Sequence, residues 1–310
     1  MLGKSNSASG ISASGMQTEN SSVSTVIADL KSLVKFVVLM LNVLPVLTGF
    51  LLALHFTNQQ LADHLGTLVL VLVGSTLIMA GALILNNWYE VDLDKKMKRT
   101  AMRPTVTGNF SLKAVLNMGV IASVIGFAIL LFTTVEAAIY ALIGWFVYVV
   151  LYTFWSKRRY TLNTIIGSVS GAVTPLIGWG AVTSTFHIVP IMLFAILFIW
   201  QVPHTFSIAV RRFDDYKAAG IPMLPVVSGI EMTKRQSVIY IACLLPLPFF
   251  LISLGIQFVI FATVLNLAWL GIAIIGWIKE DHFTWANRVF KSSITYLTLL
   301  FLAMIVVALV

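Results

Sequence analysis

Charged residues are scarce in this sequence. Of its 310 residues only 10% are Asp, Glu, Lys or Arg, whereas 59% are hydrophobic, and the mean hydropathy is +0.95. A soluble domain carries about a quarter charged residues, so this composition excludes a soluble globular protein and a disordered chain. The net charge of +8 therefore needs an explanation other than nucleic acid. Cysteine is also scarce. The single Cys243 excludes disulfides, iron–sulfur clusters and c-type haem attachment.

The scarcity of charge marks out the membrane spans, because each span needs about 20 apolar residues. Five charge-free runs fit one helix each. Two longer runs, 160–210 and 236–278, must each fold back once, near 178–190 and near 253–257, where glycine and other turn-forming residues gather. The sequence therefore predicts an all-α integral membrane protein with nine transmembrane helices.

The basic residues give the orientation in the membrane. With nine helices, all 20 Lys and Arg fall on the face that holds the N-terminus and the loops after helices 2, 4, 6 and 8, while the only charged residues on the other face are Asp63 and Glu136. Because Lys and Arg concentrate on the cytoplasmic side, we expect a cytoplasmic N-terminus in the cell (plasma) membrane. Residues 1–30, with eight serines, are predicted to be a disordered cytoplasmic tail, and residues 31–310 to be the nine-helix domain.

Two loops on the basic face resemble each other. Asp94 is followed ten residues later by a Pro-Thr-Val-Thr-Gly segment that begins at Pro104, and Asp215 is followed ten residues later by a Pro-Val-Val-Ser-Gly segment that begins at Pro225. These loops follow predicted helices 2 and 6. The repeat predicts two pseudo-repeated halves around a central cavity, with both acidic loops at its cytoplasmic mouth.

The first loop carries the residues of a predicted metal site. Asn86, Glu90 and Asp94 stand at i, i+4 and i+8, so they share one face of a helix, and Asn87 flanks that face. Mg²⁺ prefers oxygen ligands and is held by one or two carboxylates together with substrate phosphates. Polar groups at the end of a long apolar run are costly unless they are used. The pattern therefore indicates a Mg²⁺ site for a phosphorylated substrate.

The second loop is not a copy of the first. Asp214 and Asp215 are its acidic residues, and Arg211 stands where the repeat would place a second carboxylate. We expect this loop to complete the metal site, and the cations beside both loops to bind phosphate oxygens. The cations predicted to bind diphosphate are Lys98, Arg99, Arg103, Arg211 and Arg212.

His204 lies inside predicted helix 6, about three turns before the acidic pair. A single histidine on an apolar helix is commonly a structural hydrogen-bonding residue. Its place in a Gln-Val-Pro-His segment of the helix that leads into the second acidic loop equally favours a contact with substrate. The residues alone leave both interpretations open.

These motifs resemble those of the intramembrane prenyltransferases of the UbiA superfamily over about residues 30–310. The superfamily pattern Asn-x3-Asp-x3-Asp has Glu90 at its centre here, a change that adds one methylene and keeps the carboxylate. Further motifs are similar to those of the haem O synthase (protohaem IX farnesyltransferase) branch. They are Asn86-Asn87, Asp92-x-Asp94-x2-Met97-x-Arg99-Thr100-x2-Arg103-Pro104, Trp200-Gln201-x-Pro203-His204, Asp215-Tyr216 and Ile221-Pro222-Met223-Leu224-Pro225.

The resemblance implies transfer of a farnesyl group from farnesyl diphosphate to a vinyl group of haem B, with water added, giving haem O and diphosphate. It implies Mg²⁺ as cofactor, haem B as substrate rather than cofactor, and His204 as a haem-binding residue. The lipid bilayer and a downstream haem-modifying enzyme are the further partners expected. The residues implied to be catalytic are Asn86, Asn87, Glu90, Asp94 and Asp215. The residues implied to bind metal are Asn86, Glu90, Asp94, Asp214 and Asp215.

Three alternatives remain open from the sequence. A prenyltransferase of the same fold that acts on a quinone-type acceptor would share the first motif. A membrane transporter would also have internal repeats and polar groups in the membrane, although here the ionisable residues cluster at one face. A non-catalytic assembly subunit of a respiratory oxidase would tolerate substitution of Glu90 and Asp94.

Overall fold

The computed structural model describes residues 24–310, and every regular element in that range is helical. The first half contains α1 (24–33), α2 (Phe36–Phe56), α3 (Leu65–Tyr89), α4 (Val91–Asp94), α5 (Pro104–Thr107), α6 (Leu112–Leu131) and α7 (Val135–Phe146). The second half contains α8 (Asn163–Ala172), α9 (Thr174–Gly180), α10 (Ile188–Arg211), α11 (Phe213–Ala219), α12 (Leu224–Ser228), α13 (Ile230–Ala242), α14 (Ile256–Lys279) and α15 (His282–Leu309). A 3-10 helix at Leu61–His64 precedes α3, α7 continues as a π-helix over Val147–Ser156, and a 3-10 helix at Leu247–Leu254 follows α13.

Eight helical segments of the described chain are long and apolar enough to cross a membrane. They are the segments that contain α2, α3, α6, α7, α10, α13, α14 and α15. The two long charge-free runs turn where the sequence predicts. Residues 181–187 separate α9 from α10, and Gly255, with φ at 97°, separates the 3-10 helix from α14. The prediction of an all-helical membrane protein is confirmed.

The predicted fifth helix is interrupted. Its residues form α8 and α9, of 10 and 7 residues, and each is too short to cross a hydrocarbon core at 1.5 Å per residue. Pro175 in the first turn of α9 has no backbone N–H for the preceding turn, so the helix breaks before it. Thr174 Oγ1 donates to the Gly171 carbonyl at 2.7 Å at the break. Within residues 24–310, nine uninterrupted spans are therefore replaced by eight long helices and one broken pair.

The predicted N-terminal tail needs a partial correction. Residues 1–23 lie outside the described residues, and the predicted disorder is wrong for 24–30, which belong to α1. Leu33 at the end of this helix is buried, and the Asp29 carboxylate accepts a hydrogen bond from Asn109 Nδ2 at 2.8 Å. These contacts with the rest of the fold hold α1, and no sequence periodicity within so short a segment indicates them.

The two halves repeat one local design. In each, a long helix (α3 or α10) leads into a short acidic helix (α4 or α11), and a second short helix (α5 or α12) then has proline in its first turn. The second short helices end at Gly108 and Gly229, both with φ at 86°, which favours glycine because it has no Cβ. The helix that follows, α6 or α13, packs back on α3 or α10. The predicted pseudo-repeat agrees with this arrangement.

Two glycines let the halves meet backbone to backbone. A Cβ at Gly178 of α9 would lie 1.8 Å from the Val46 carbonyl oxygen of α2, and a Cβ at Gly49 of α2 would lie 2.1 Å from the Pro175 carbonyl oxygen. Small residues at a helix interface allow this approach in membrane proteins. The contact between α2 and α9 thus fixes one side of the space that the two halves enclose.

Candidate active site

A cavity of about 540 Å³ lies between the two halves. Its walls come from α2, α3 and α7 of the first half, from α8, α9, α10 and α15 of the second, and from the loops on the basic face. Its charged residues are Lys35, Glu90, Asp94, Arg99, Arg103, Lys157, Arg211 and Arg212. These stand at helix ends or in loops, so the cavity has a charged head at the basic face and a mostly apolar body among the helices. Such a cavity suits an amphipathic ligand with an anionic head.

Glu90 follows α3 and is buried at this charged head. Both of its carboxylate oxygens accept hydrogen bonds from Lys157 Nζ at 2.6 Å. Burial would raise the pKa of Glu90, but the charges of Lys157, Lys35 and Arg103 and the hydrogen bond from Lys157 together outweigh burial and lower this pKa below its usual value. Burial alone would lower the pKa of Lys157, but the other interactions, led by the charge of Glu90 and including its hydrogen bond, together outweigh burial and raise that pKa. The pair is therefore ionised near neutral pH.

Asp94 ends α4 and is fully buried, with 0% of its surface exposed. Its Oδ2 accepts a hydrogen bond from Arg103 Nη1 at 2.6 Å. Its Oδ1 is buried without a hydrogen-bond partner. Because a buried carboxylate oxygen without a partner is costly, and Asp94 lines the cavity, this atom is well placed to accept a cation.

The side chains of Asn86 and Asn87 form hydrogen bonds to groups outside the cavity wall or at its edge. Asn86 Oδ1 accepts a hydrogen bond from Lys35 Nζ at 2.5 Å, and its Nδ2 donates to Thr153 Oγ1 at 3.0 Å. Asn87 Nδ2 donates to the Leu33 carbonyl at 2.7 Å, while its Oδ1 is buried without a partner. Neither asparagine lines the cavity wall. Their metal and catalytic roles stay predictions, and the structure gives them a set of partners that the sequence did not suggest.

The second acidic loop touches the first without joining its carboxylates. Asp215 Oδ1 accepts a hydrogen bond from the backbone N–H of Lys98 at 3.1 Å, and Asp214 is exposed. In residues 24–310 no three His, Cys, Asp or Glu side chains are grouped closely enough to hold a metal ion. The predicted metal set is therefore not assembled as a cluster. Glu90 and Asp94 do share one cavity, and two carboxylates fit the way in which Mg²⁺ binds beside substrate phosphates.

Four of the five cations predicted for diphosphate line the cavity; the exception, Lys98, is exposed. The four are Arg99, Arg103, Arg211 and Arg212. Lys35 and Lys157 also line the head, and sequence reasoning missed them because nothing in their spacing separates them from ordinary positive-inside charge. Burial and the charge of Arg103 lower the pKa of Lys35 well below its usual value. Only the three-dimensional structure shows that Lys35 and Lys157 lie at the cavity head.

His204 lies in α10 within a stack of rings. Its ring centroid is 4.6 Å from that of Trp200 and 5.2 Å from that of Phe290, and its Nδ1 is 2.7 Å from Ser293 Oγ. Phe290 lines the cavity, whereas His204 does not. The geometry favours the structural interpretation of His204, and its predicted contact with haem stays a prediction.

Aromatic side chains form part of the apolar body. Trp145, Tyr148 and Tyr152 line it, and the two tyrosine ring centroids are 5.6 Å apart. Both tyrosines belong to the π-helix, a form that occurs often at functional sites. The backbone N–H of Lys157 donates to the Tyr152 carbonyl at 2.9 Å, an i to i−5 bond that continues this geometry to Lys157. The π-helix therefore positions both the aromatic wall and a cation of the head.

The chain is similar to known proteins over most of its length. Residues 42–308 match the UbiA prenyltransferase family. A protein of Oceanobacillus iheyensis named protoheme IX farnesyltransferase is 53% identical over 283 residues, which cover 91% of this chain and 90% of that protein. A protein of Bacillus cereus with the same name is 50% identical over 284 residues, which cover 91% and 92% of the two chains.

Solved structures share the fold at low sequence identity. A UbiA homolog from Archaeoglobus fulgidus bound to GPP and Mg²⁺ has a TM-score of 0.71 at 18% identity, covering 91% of this chain and 100% of that one. The apo structure of a UbiA homolog from Aeropyrum pernix K1 has a TM-score of 0.67 at 18% identity, with 87% and 98% covered. The match to the family and the identity to its members agree with this fold, and the chain belongs to the UbiA prenyltransferase family.

Proposed function

We propose that this chain transfers a farnesyl group from farnesyl diphosphate to a vinyl group of haem B, giving haem O and diphosphate. The observation that carries the proposal is the identity of 53% and 50%, over 91% of this chain, to relatives named protoheme IX farnesyltransferase. The cavity supports it, because a charged head and an apolar body match a diphosphate with a long hydrocarbon tail.

The first step breaks the bond between the allylic carbon and the diphosphate oxygen, and the electron pair leaves with diphosphate. Arg99, Arg211 and Arg212 face the head and stabilise the charge that builds on the leaving group. The π electrons of the haem vinyl group then bond to the allylic cation. Water adds to the cation formed beside the porphyrin and loses a proton, so the product has a new carbon–carbon bond and a hydroxyl group.

We assign Glu90 and Asp94 as the carboxylates that hold Mg²⁺. Bound Mg²⁺ supplies positive charge for the diphosphate. The unpartnered Asp94 Oδ1 in the cavity wall supports this assignment, as does the presence of GPP and Mg²⁺ in the A. fulgidus homolog. Lys157 and Arg103, which pair with these carboxylates and line the same head, would bind phosphate oxygens. We retain Asp215 and its exposed neighbour Asp214 as proposed further ligands from the second loop.

The apolar body has to protect the allylic cation from premature attack by water. Trp145, Tyr148 and Tyr152 surround part of it, and the faces of aromatic rings stabilise a cation. On the acceptor side, we propose that His204 positions the ring of Phe290 against haem B. His204→Ala should then raise the KM for haem B more than the KM for farnesyl diphosphate, and an equal rise in both would show a purely structural role.

We propose that the charged head faces the cytoplasm and that the enzyme lies in the plasma membrane. The support is the distribution of all 20 Lys and Arg over one face. The diphosphate group of farnesyl diphosphate would then enter the cavity from the cytoplasmic side. Haem O would leave into the bilayer, where a haem-modifying enzyme would receive it.

The proposal is tested on membranes from cells that express this chain, supplied with haem B, farnesyl diphosphate and Mg²⁺. We expect mass spectrometry to detect haem O. We expect no haem O when a chelator removes the metal. A prenylated quinone in place of haem O would overturn the acceptor and keep the reaction class. No prenylated product from folded protein would overturn the enzymatic proposal itself.

A further inference from the structure

Four polar side chains interrupt the apolar body of the cavity, and together we call them the polar patch. Gln201 and Thr205 stand at i and i+4 on α10, so they share one helix face. Ser170 in the last turn of α8 and Thr174 at the start of α9 have the same spacing. All four line the cavity. Gln201 precedes Arg211 by ten residues of α10, or about 15 Å, so it lies deep in the membrane-spanning part of the cavity.

The break between α8 and α9 commits two of the hydroxyl groups. Because Pro175 has no backbone N–H, the Gly171 carbonyl lacks the i+4 donor of a regular helix, and Thr174 Oγ1 donates to it at 2.7 Å. Ser170 Oγ donates to the Gly167 carbonyl at 2.7 Å. Each of these hydroxyl oxygens therefore has its proton in use and keeps lone pairs for another donor.

The side chains of Gln201 and Thr205 are not committed. Within residues 24–310, neither the Gln201 amide nor the Thr205 hydroxyl forms a hydrogen bond with another residue. Polar groups inside a membrane are costly without partners, and they commonly bond to a neighbouring helix. Here the amide oxygen lies against the backbone of Gly171, where a Cβ would be 2.4 Å from it. Glycine at this position makes room for the amide in the cavity wall.

The polar patch adjoins the aromatic wall of the cavity. A Cβ at Gly167 would lie 2.9 Å from Tyr152 Cδ2, so the ring of Tyr152 packs on α8 one turn before Ser170. The patch offers amide and hydroxyl donors together with several acceptor oxygens, and none of its side chains is charged. A water molecule inside a protein needs about two to four such partners. The patch therefore suits a water molecule rather than an ion.

We infer that the polar patch binds the water that becomes the hydroxyl group of the product, and that Gln201 and Thr205 position it. The inference rests on the proposed function, in which water adds beside the porphyrin. Once the vinyl group has bonded to the allylic carbon, a lone pair of the held water bonds to the cationic carbon. The added oxygen then loses a proton through the hydroxyl of Thr205, one turn nearer to the head, and the released diphosphate accepts it. Until then, hydrogen bonds to the patch keep this water from the allylic carbon.

The share of product that contains the added water tests the inference. Without a positioned water, the same cation loses a proton from the neighbouring carbon and gives an alkene that is lighter than haem O by one water. Purified protein in lipid nanodiscs is supplied with haem B, farnesyl diphosphate and Mg²⁺, and mass spectrometry gives the ratio of haem O to alkene. Gln201→Leu should lower this ratio about 10-fold, as expected for loss of one hydrogen bond, with total prenylated haem within about twofold.

A second variant moves the amide without removing it. A methyl group at Gly171 meets only the amide atoms of Gln201 within 4 Å, so Gly171→Ala should displace the amide, keep the fold and shift the product toward the alkene. Thr205→Val replaces the hydroxyl by a methyl group of similar size and should shift the product in the same direction. The matched controls are Gln257→Leu, at an exposed glutamine outside the cavity, and Gly271→Ala, which meets no neighbour within 4 Å. Both should leave the ratio unchanged.

The outcomes separate this inference from the proposed function. If the unaltered chain forms haem O, and Gln201→Leu and Gly171→Ala keep its ratio to the alkene, the water site is wrong while the proposed reaction stands. A raised KM for haem B at an unchanged ratio would show that the patch binds the acceptor and would also overturn the water site. If the unaltered chain gives a prenylated quinone or no prenylated product, the proposed function is wrong and the inference with it.

Discussion

At the head of the cavity, two acidic residues are each paired with one cation, and one of these cations is distant in the sequence. Glu90 pairs with Lys157, 67 residues away, and Asp94 pairs with Arg103 across the turn between α4 and α5. A buried charge is tolerated when its partner is in place and is costly when the partner is removed. Each pair therefore stabilises the acidic loop while it keeps a cation beside the substrate position.

Removing one charge of the first pair should destabilise the protein. Glu90→Gln leaves Lys157 without a counter-charge at a largely buried position, and we expect a loss of about 3 kcal/mol in the free energy of unfolding. Unfolding of the detergent-solubilised protein measures it. Adding Lys157→Met to Glu90→Gln should recover most of the loss, and a double variant no more stable than the single one would contradict the pairing.

Removing the Asp94 carboxylate should slow the reaction itself. Asp94→Asn is expected to lower kcat by about 100-fold or more, because it removes the carboxylate assigned to the metal. Asp92→Asn is the matched control. Asp92 is on the same short helix but is exposed and paired with Arg158 outside the cavity. Equal losses in the two variants would contradict a role for Asp94 inside the cavity.

At the scale of helices, the close approach of α2 and α9 should be sensitive to a single methyl group. Gly178→Ala would place a Cβ 1.8 Å from the Val46 carbonyl oxygen, so the two backbones must separate. We expect a loss of about 1–3 kcal/mol, as for other overpacked sites, read as a lower thermal midpoint in detergent. Gly271→Ala in α14 meets no neighbour within 4 Å and should leave the midpoint unchanged or raised. A midpoint shared by both variants would contradict the close contact.

The α8–α9 break and the π-helix are the elements that the sequence predicted least well. A charge-free run indicates that apolar residues cross the membrane, but it does not indicate that Pro175 divides one crossing into two short helices. A π-helix differs from an α-helix by a shift in backbone hydrogen bonds, which hydropathy does not report. The aromatic wall of Tyr148 and Tyr152 therefore became visible only in three dimensions.

For the whole molecule, the sequence predicted the helical membrane class, both chain reversals and the repeated loops, because charge and turn residues determine them locally. It also identified Glu90 and Asp94, since their spacing places them on one helix face. It missed Lys35 and Lys157, whose roles depend on contacts with residues 51 and 67 positions away. Such pairings follow from packing and leave no local pattern.

The orientation of the molecule is tested by cysteine labelling. In a Cys243→Ser background, Asp63→Cys should react with a membrane-impermeant maleimide on intact cells. Lys96→Cys should react only after the membrane is opened, because the basic loops are predicted to face the cytoplasm. Both parent residues are exposed, so access to the side chain does not decide the result. The reverse labelling pattern would place the charged head outside the cell.

The excess of positive charge around the cavity head should also affect the release of the diphosphate product. Six basic side chains line the cavity against two carboxylates, and free diphosphate can carry one more negative charge than the ester from which it came. The spent leaving group should therefore be held at least as firmly as the substrate, and its departure should limit the cycle. We expect rapid mixing to show a burst of haem O equal to the amount of enzyme, followed by a slower phase that salt accelerates. A single linear phase would place the slow step at or before the formation of haem O.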